Sequence, residues 1–282
     1  MKYRQITGEA VDKLLPPRRL ESHKGDYGRL LLLCGSRGYT GAAALAAMGA
    51  LRVGAGLVYL AVPDSIYAIE AGKLTEAVVL PMPDRDGMLS SEAVGPILQM
   101  LPRMDAVLAG PGLGQGEGPL ACVKAVLEKF SGPVVLDADG INLLAAHKDI
   151  LRGRTADTIL TPHMGEFRRL AGESDGSREE MAGRLSRELG VITVLKGHET
   201  ITTDGAVVYR NPTGNPGMAV GGSGDVLAGV ITGLLGQGLP PILAAACGVW
   251  LHGAAGDLCA REIGQYGMLP TDMLSALPRL LK

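Results

Sequence analysis

Apolar runs alternate with helical patterns along the first two thirds of the chain. The runs 29–34, which is apolar after Arg29, and 57–62 are continuous, which predicts strands that are buried on both faces. Further strands are predicted at 77–81, 106–109, 134–136, 158–160 and 191–195. Segments with helical spacing separate them, the first at about 41–53. We therefore predict a doubly wound α/β fold, with a mostly parallel sheet flanked by helices.

The C-terminal third has a different pattern. Residues 200–203 and 206–209 are joined across Asp204-Gly205, which predicts a β-hairpin. A glycine-rich stretch and helices follow, the helices at 225–235, 241–259 and 271–280. Because no linker, low-complexity tract or repeat interrupts the chain, we predict a single domain over residues 1–282.

Composition narrows the class of protein. Hydrophobic residues make up 46% of the 282 residues but aromatic residues only 4%, and there are 41 glycines, so the core depends on aliphatic side chains and close backbone packing. A net charge of −2 without a basic run argues against nucleic acid as a partner. The four cysteines are far apart, as in a reduced cytoplasmic protein. No signal peptide or charge-free membrane span is evident, so we expect no membrane partner.

The stretch 215–229 contains five glycines and leads into an apolar helical pattern. Free backbone N–H groups and the helix dipole at such a start favour a bound anion, most often a phosphate. Asp225 is either a general base acting on a hydroxyl group or a helix cap. The preceding Gly-Gly-Ser-Gly sequence favours the catalytic interpretation.

Ligands of an open parallel sheet bind beyond the carboxyl ends of its strands. The segments that follow the predicted strands are 35–41, 110–114, 137–139, 161–163 and 196–200. The first is either a phosphate cradle or a tight turn, since it lacks the lysine of the Walker pattern. Gly112 and Gly114 allow close backbone approach to a bulky ligand, but their spacing is not that of a Rossmann fingerprint.

Charged residues in these segments have alternative interpretations. Lys196 faces a nucleotide phosphate or is a solvated side chain at a strand end. His163 has no second histidine at metal spacing, which argues against zinc. Glu166, with Asp137 and Asp139, could orient a hydrated magnesium ion, although the two aspartates are equally suited to forming a turn and a cap.

Taken in this order, the motifs resemble the ribokinase-like superfamily and, within it, the ADP-dependent NAD(P)H-hydrate dehydratases. The resemblance runs from about residue 20 to the C-terminus. The segments that carry it are 22–28, 41–43, 110–114, 136–139, 160–167, 194–197, 211–215 and 221–227.

The resemblance implies a repair reaction. The S epimer of hydrated NADH or NADPH would be dehydrated, with ADP converted to AMP and phosphate. Asp225 would deprotonate the ring hydroxyl group, which would attack the β-phosphate of ADP, and the phosphorylated intermediate would eliminate phosphate. The backbone of Gly222, Ser223 and Gly224 would form an anion hole for the transferred phosphoryl group.

The resemblance also implies binding residues and partners. Those for ADP or AMP would be Lys196, Gly197, His198, Glu199, Thr200 and Gly224. Those for the hydrated substrate would be Ala43, Gly112, Gly114, His163 and Asp225. Magnesium would be the cofactor, held by Glu166 through water. We expect a homotetramer and, since only about 20 residues precede the match, a separate epimerase for the R epimer.

Two other functions remain open at this stage. An ATP-dependent small-molecule kinase of the same superfamily would use Asp225 as its base but leave the phosphate on its product. A non-catalytic nucleotide sensor would bind nucleotide equally well when Asp225 is replaced by asparagine. Asp225 directly behind an anion hole argues against the sensor.

Overall fold

The computed structural model describes residues 2–15, 17–173 and 175–281. Within these ranges the strands are β1 Lys2–Arg4, β2 Arg29–Leu33, β3 Leu57–Pro63, β4 Val78–Met82, β5 Asp84–Arg85, β6 Met88–Leu89, β7 Ala106–Ala109, β8 Val134–Leu136, β9 Thr158–Leu160, β10 Ile192–Leu195, β11 Ile201–Thr203 and β12 Val207–Arg210. The α-helices are α1 Gly8–Leu14, α2 Thr40–Arg52, α3 Asp64–Lys73, α4 Val94–Met100, α5 Glu117–Lys129, α6 Asp139–Leu144, α7 Asp149–Arg152, α8 Met164–Ala171, α9 Arg178–Leu189, α10 Ser223–Gly236, α11 Pro241–Glu262 and α12 Pro270–Ala276.

One large sheet organises the molecule. Its ten strands follow the order β1-β12-β11-β10-β9-β8-β7-β2-β3-β4, and β5 and β6 form a separate two-stranded ribbon. Every neighbouring pair in the large sheet is parallel except the two that β11 makes, with β10 and with β12. The predicted mostly parallel α/β fold and its C-terminal hairpin are therefore confirmed.

Strand β2 explains why the apolar runs are continuous. Its residues Leu30 and Leu32 enter one hydrophobic layer, with residues of α2, α10 and α11. Leu31 and Leu33 enter the opposite layer, with residues of α5, α8 and α9. Both faces of the strand are buried, so alternation between apolar and polar residues is lost.

Small residues let α10 pack unusually close to α2. A β-carbon built on Gly229 would lie 2.0 Å from the carbonyl oxygen of Ala46, so only glycine fits there. At the start of α10, a β-carbon on Gly222 would lie 2.5 Å from the side chain of Leu45. This close packing holds the N-terminal halves of α10 and α2 side by side.

Strands β7, β8 and β9 occupy the predicted residues, while several elements were not predicted. Strand β1 is three polar residues long, too short for a periodic signal. Helix α9 does carry an N-terminal signal, since Ser177 and Glu180 form a capping box. The ribbon of β5 and β6 and the short helices α6 and α7 were also missed.

The cysteines and the apolar helix α11 are both largely buried within the fold. The cysteines Cys34, Cys122, Cys247 and Cys259 are all free and buried, as predicted. Helix α11 is long and apolar enough to cross a membrane by length and composition, yet 67% of its most apolar window is buried within the protein. It therefore contributes to the hydrophobic core.

Candidate active site

The N-terminal turn of α10 presents unpaired amides. Gly222 precedes the helix with φ of 95°, a left-handed conformation that favours glycine. The N–H of Ser223 donates to the carbonyl of Val220 at 3.3 Å. In the described part of the chain, no acceptor takes the amide hydrogen of Gly224 or Asp225. Two amides at the positive end of a 14-residue helix therefore remain available to an anion.

Asp225 lies in this turn in an environment that favours its protonated form. Burial, and then the negative charge of Asp137, raises the pKa of Asp225 to about 6, although Lys196 opposes the shift. A carboxylate with this pKa is suited to accept a proton near neutral pH. Burial and the charge of Asp225 also raise the pKa of Cys34, consistent with Asp225 lying near the end of β2.

Lys196, just after β10, is held in an ion pair. Its Nζ donates to Oδ1 of Asp137 at 2.7 Å and lies 3.8 Å from Oε2 of Glu166. The same Asp137 oxygen accepts from the hydroxyl of Thr161 at 2.6 Å. Burial would lower the pKa of Lys196, but Asp137 and Glu166 outweigh it and raise the pKa, so the ammonium stays charged. The interpretation of Lys196 as a solvated side chain is therefore wrong.

His163 and Glu166 form the N-terminal cap of α8. The ring Nδ1 of His163 accepts from the amide of Gly165 at 2.9 Å, and Oε2 of Glu166 accepts from the amide of His163 at 2.8 Å. This reciprocal arrangement is a capping box. It fixes the imidazole and the buried carboxylate at the same edge of the sheet as Lys196.

These groups surround a cavity of about 990 Å³ at the carboxyl edge of the sheet. Part of its lining is polar and includes Lys196 and the loop that follows it. Another part is apolar and includes Met218, Leu227 and Val249. Predicted site residues that line it are His163, Lys196, Gly197, His198, Glu199, Thr200, Ser223, Gly224 and Asp225. Its size and mixed walls suit a nucleotide.

Comparison with known proteins identifies the family. A family model described as NAD(P)H-hydrate dehydratase matches residues 30–279. The chain belongs to the NAD(P)H-hydrate dehydratase family. A bifunctional NAD(P)H-hydrate repair enzyme from Moorella thermoacetica is 45% identical over 286 residues, covering 99% of this chain and 54% of that protein. The chain thus spans about half the length of the curated relatives it matches.

Solved structures agree with the family and the fold. An ADP/ATP-dependent NAD(P)H-hydrate dehydratase from Bacillus subtilis, co-crystallised with ATP and Mg²⁺, has a TM-score of 0.85 and 34% identity, covering 97% of this chain and 96% of that one. A ribokinase-like superfamily protein from Enterococcus faecalis has a TM-score of 0.87 and 29% identity, covering 98% and 94%. The predicted ribokinase-like fold is confirmed.

In this member of the NAD(P)H-hydrate dehydratase family, the other predicted substrate residues lie outside the residues that line the cavity. Ala43 is fully buried in the first turn of α2. A β-carbon on Gly112 would lie 2.8 Å from that of Tyr39, and the amide of Gly114 donates to Asp139 at 2.9 Å. Ala43 and Gly112 therefore lie at the start of α2, and the role of all three residues in binding the substrate stays a prediction.

Arg178 supports the nucleotide loop predicted from the family resemblance. Its guanidinium donates to the carbonyl of Leu195 at 2.8 Å and to the carbonyl of His198. A β-carbon on Gly197 would lie 2.9 Å from this guanidinium, so the loop passes directly over it. The position of Arg178 on α9 gives no local sign of this contact, so the sequence alone does not point to it.

Asp257 on α11 plays a similar part for the segment 211–215. Its carboxylate accepts from the amide of Gly214 at 2.9 Å and from the side chain of Asn215 at 3.0 Å. The hydroxyl of Thr213 donates to the carbonyl of Trp250 at 3.0 Å. Helix α11 thereby fixes a second stretch of the cavity wall, and no spacing pattern in the sequence pointed to Asp257.

Proposed function

We propose that this chain catalyses the ADP-dependent dehydration of the S epimer of NADH-hydrate or NADPH-hydrate, releasing NADH or NADPH, AMP and phosphate. The reaction would make it a lyase of nicotinamide nucleotide repair, working in the cytoplasm. Its family, the B. subtilis structure and the arrangement of Asp225 beside free amides support this proposal.

In the proposed first step, Asp225 takes the proton of the ring hydroxyl group. The hydroxyl oxygen forms a bond to the β-phosphorus of ADP while the bond from that phosphorus to the bridging oxygen breaks, and AMP leaves. In the second step the C–O bond to the new phosphate breaks, a neighbouring ring proton is lost, and the ring double bond is restored. A pKa of about 6 leaves Asp225 ionised at neutral pH and able to act.

The phosphoryl group would be stabilised by the surrounding charge. The amides of Gly224 and Asp225 are free to donate to its oxygens, and the dipole of α10 favours negative charge there. Lys196 adds a partly buried positive charge close to this turn, since a β-carbon on Gly224 would lie 3.3 Å from Nζ. The function would thus rest on electrostatic stabilisation of a loose transition state.

Mg²⁺ would contact the side chains of this site only through its water ligands. Within the described residues, no group of three His, Cys, Asp or Glu side chains is placed to hold a metal ion. Both oxygens of Glu166 face His163, at 2.8 Å from its amide and 3.3 Å from its ring. Since Mg²⁺ keeps its waters and binds nucleotide phosphates, it would enter with ADP and add positive charge, with Glu166 orienting a water ligand.

The observation that carries the proposal is that the amides of Gly224 and Asp225 have no acceptor among the described residues, with the Asp225 carboxylate in the same helix turn. The test incubates purified protein with the separated S and R epimers of NADH-hydrate, with ADP, ATP or no nucleotide. Absorbance of the reduced nicotinamide should return with the S epimer and ADP. If the absorbance also returned with ATP as the added nucleotide, the ADP requirement would be rejected. A stable phosphorylated product that forms without this absorbance would favour a kinase.

The epimerase partner and the oligomeric state are further expectations. The R epimer would need an epimerase activity, and the curated relatives are named bifunctional repair enzymes. A homotetramer also stays a prediction, which sedimentation equilibrium of the purified chain would test.

A further inference from the structure

His252, on α11, lines the same cavity and contacts the first turn of α10. Its Nε2 lies 2.8 Å from the carbonyl oxygen of Ser223 and 3.3 Å from the hydroxyl of Ser223. A carbonyl oxygen only accepts hydrogen bonds, so Nε2 must carry the proton. Burial lowers the pKa of His252 to about 4, which keeps the ring neutral with a single N–H.

The carbonyl that His252 contacts belongs to the same peptide unit as the amide of Gly224. A trans peptide is planar, and its C=O and N–H point in opposite directions. An N–H donor fixed on the oxygen of Ser223 therefore fixes the direction of the Gly224 N–H. It also polarises the peptide unit, which makes that N–H a stronger donor.

This turn needs outside support for a physical reason. Gly221, Gly222 and Gly224 give its backbone unusual conformational freedom. In the described part of the chain, the amides of Gly224 and Asp225 have no acceptor that would hold them in place. His252 belongs to the neighbouring helix α11, which is largely buried, so its imidazole is held in a fixed position against the turn.

We propose that His252 is a positioning residue that aligns the Gly224 amide with the phosphoryl group transferred at Asp225. The inference rests on the proposed function. It assigns His252 an effect on turnover through Ser223, without contact to the reacting atoms.

The experiment compares His252→Gln, which can keep a donor near the position of Nε2, with His252→Leu, which has none. With S-NADH-hydrate and ADP, we expect kcat of the leucine variant to fall about tenfold, the size of one lost hydrogen bond, with KM for the hydrate changed less than twofold. The glutamine variant should recover most of kcat. Cys247→Ala, a buried change on the same helix, is the matched control.

Equal losses in the leucine and glutamine variants, or no loss in the leucine variant, would overturn the proposal. Nitrogen NMR of the unchanged protein provides a test that needs no variant: His252 should remain neutral, with its proton on Nε2, across about pH 6–8. A ring that titrates there, or one protonated on Nδ1, would equally overturn it. If the unchanged protein lacks dehydratase activity, the proposed function fails, and the NMR result still decides the hydrogen bond.

Discussion

Nζ of Lys196 and Oδ1 of Asp137 lie 2.7 Å apart although 59 positions separate them in the sequence. The two residues follow β10 and β8, on either side of β9, so the parallel sheet brings them together. The other carboxylate oxygen of Asp137 lies 4.0 Å from where a β-carbon on Gly224 would be. This ion pair therefore lies next to the first turn of α10.

The first prediction concerns the pH dependence that this pair imposes. Asp225 must be ionised to act as a base, and its pKa is about 6, so kcat/KM should fall as the pH drops below about 6. Asp137→Asn removes the negative charge that helps to raise this pKa. The acidic limb of kcat/KM should then move to lower pH. An unchanged limb in the variant would contradict the role given to Asp137.

Asp225→Asn should abolish most of the turnover. A general base typically contributes about 10²–10⁴-fold, whereas the backbone amides that bind phosphate remain in the variant. We expect kcat to fall by that range while the Kd for ADP, measured by calorimetry, changes less than about threefold. Asp12→Asn, on the exposed part of α1, is the control. Activity near that of the unchanged protein would reject Asp225 as the base.

The same substitution should make the protein more stable. The pKa of Asp225 is raised from 3.8 to about 6 in the folded state, so folding loses stability as the pH rises between these values. Above pH 6 the cost is at most about 3 kcal/mol, and asparagine removes it. Urea unfolding at neutral pH should therefore show a gain for Asp225→Asn that is absent at pH below 3.8. A loss of stability at neutral pH would show that the carboxylate is favourably paired.

Lys196→Met should weaken nucleotide binding. The change removes the partly buried ammonium while roughly keeping the side-chain volume, and a hydrogen bond to a charged group contributes about 1.5–3 kcal/mol. We expect the Kd for ADP to rise at least about tenfold. Lys129→Met, at the exposed end of α5, should leave it unchanged. If the two variants bound ADP with equal affinity, the phosphates of ADP would not lie next to Lys196.

Gly229→Ala tests the close packing of α10 on α2. Its new methyl group would meet the carbonyl oxygen of Ala46 at 2.0 Å, and overpacking of this kind costs about 1–3 kcal/mol. Gly72→Ala, on the open face of α3, meets nothing within 4 Å and should stabilise the protein slightly. Urea unfolding of both variants gives the comparison. Similar stability would mean that the two helices separate easily.

The sequence predicted those parts of the molecule that depend on local patterns. Strands β7, β8 and β9 were found because both faces of each are buried, which gives unbroken apolar runs. The start of α10 was found because its glycines precede a helix. The contacts of Asp137 with Lys196, and of His252 with Ser223, join residues 59 and 29 positions apart. Such pairs depend on the topology of the sheet and on helix packing, which one sequence does not encode locally.

The parallel pairing of β1 with β12 has a consequence for how the chain is made. Tyr3 is opposite Val208, so β1 leaves the ribosome about two hundred residues before the strand that it pairs with. A contact of such long range forms late and closes a large loop. During synthesis β1 therefore stays without its partner strand until β12 has emerged from the ribosome.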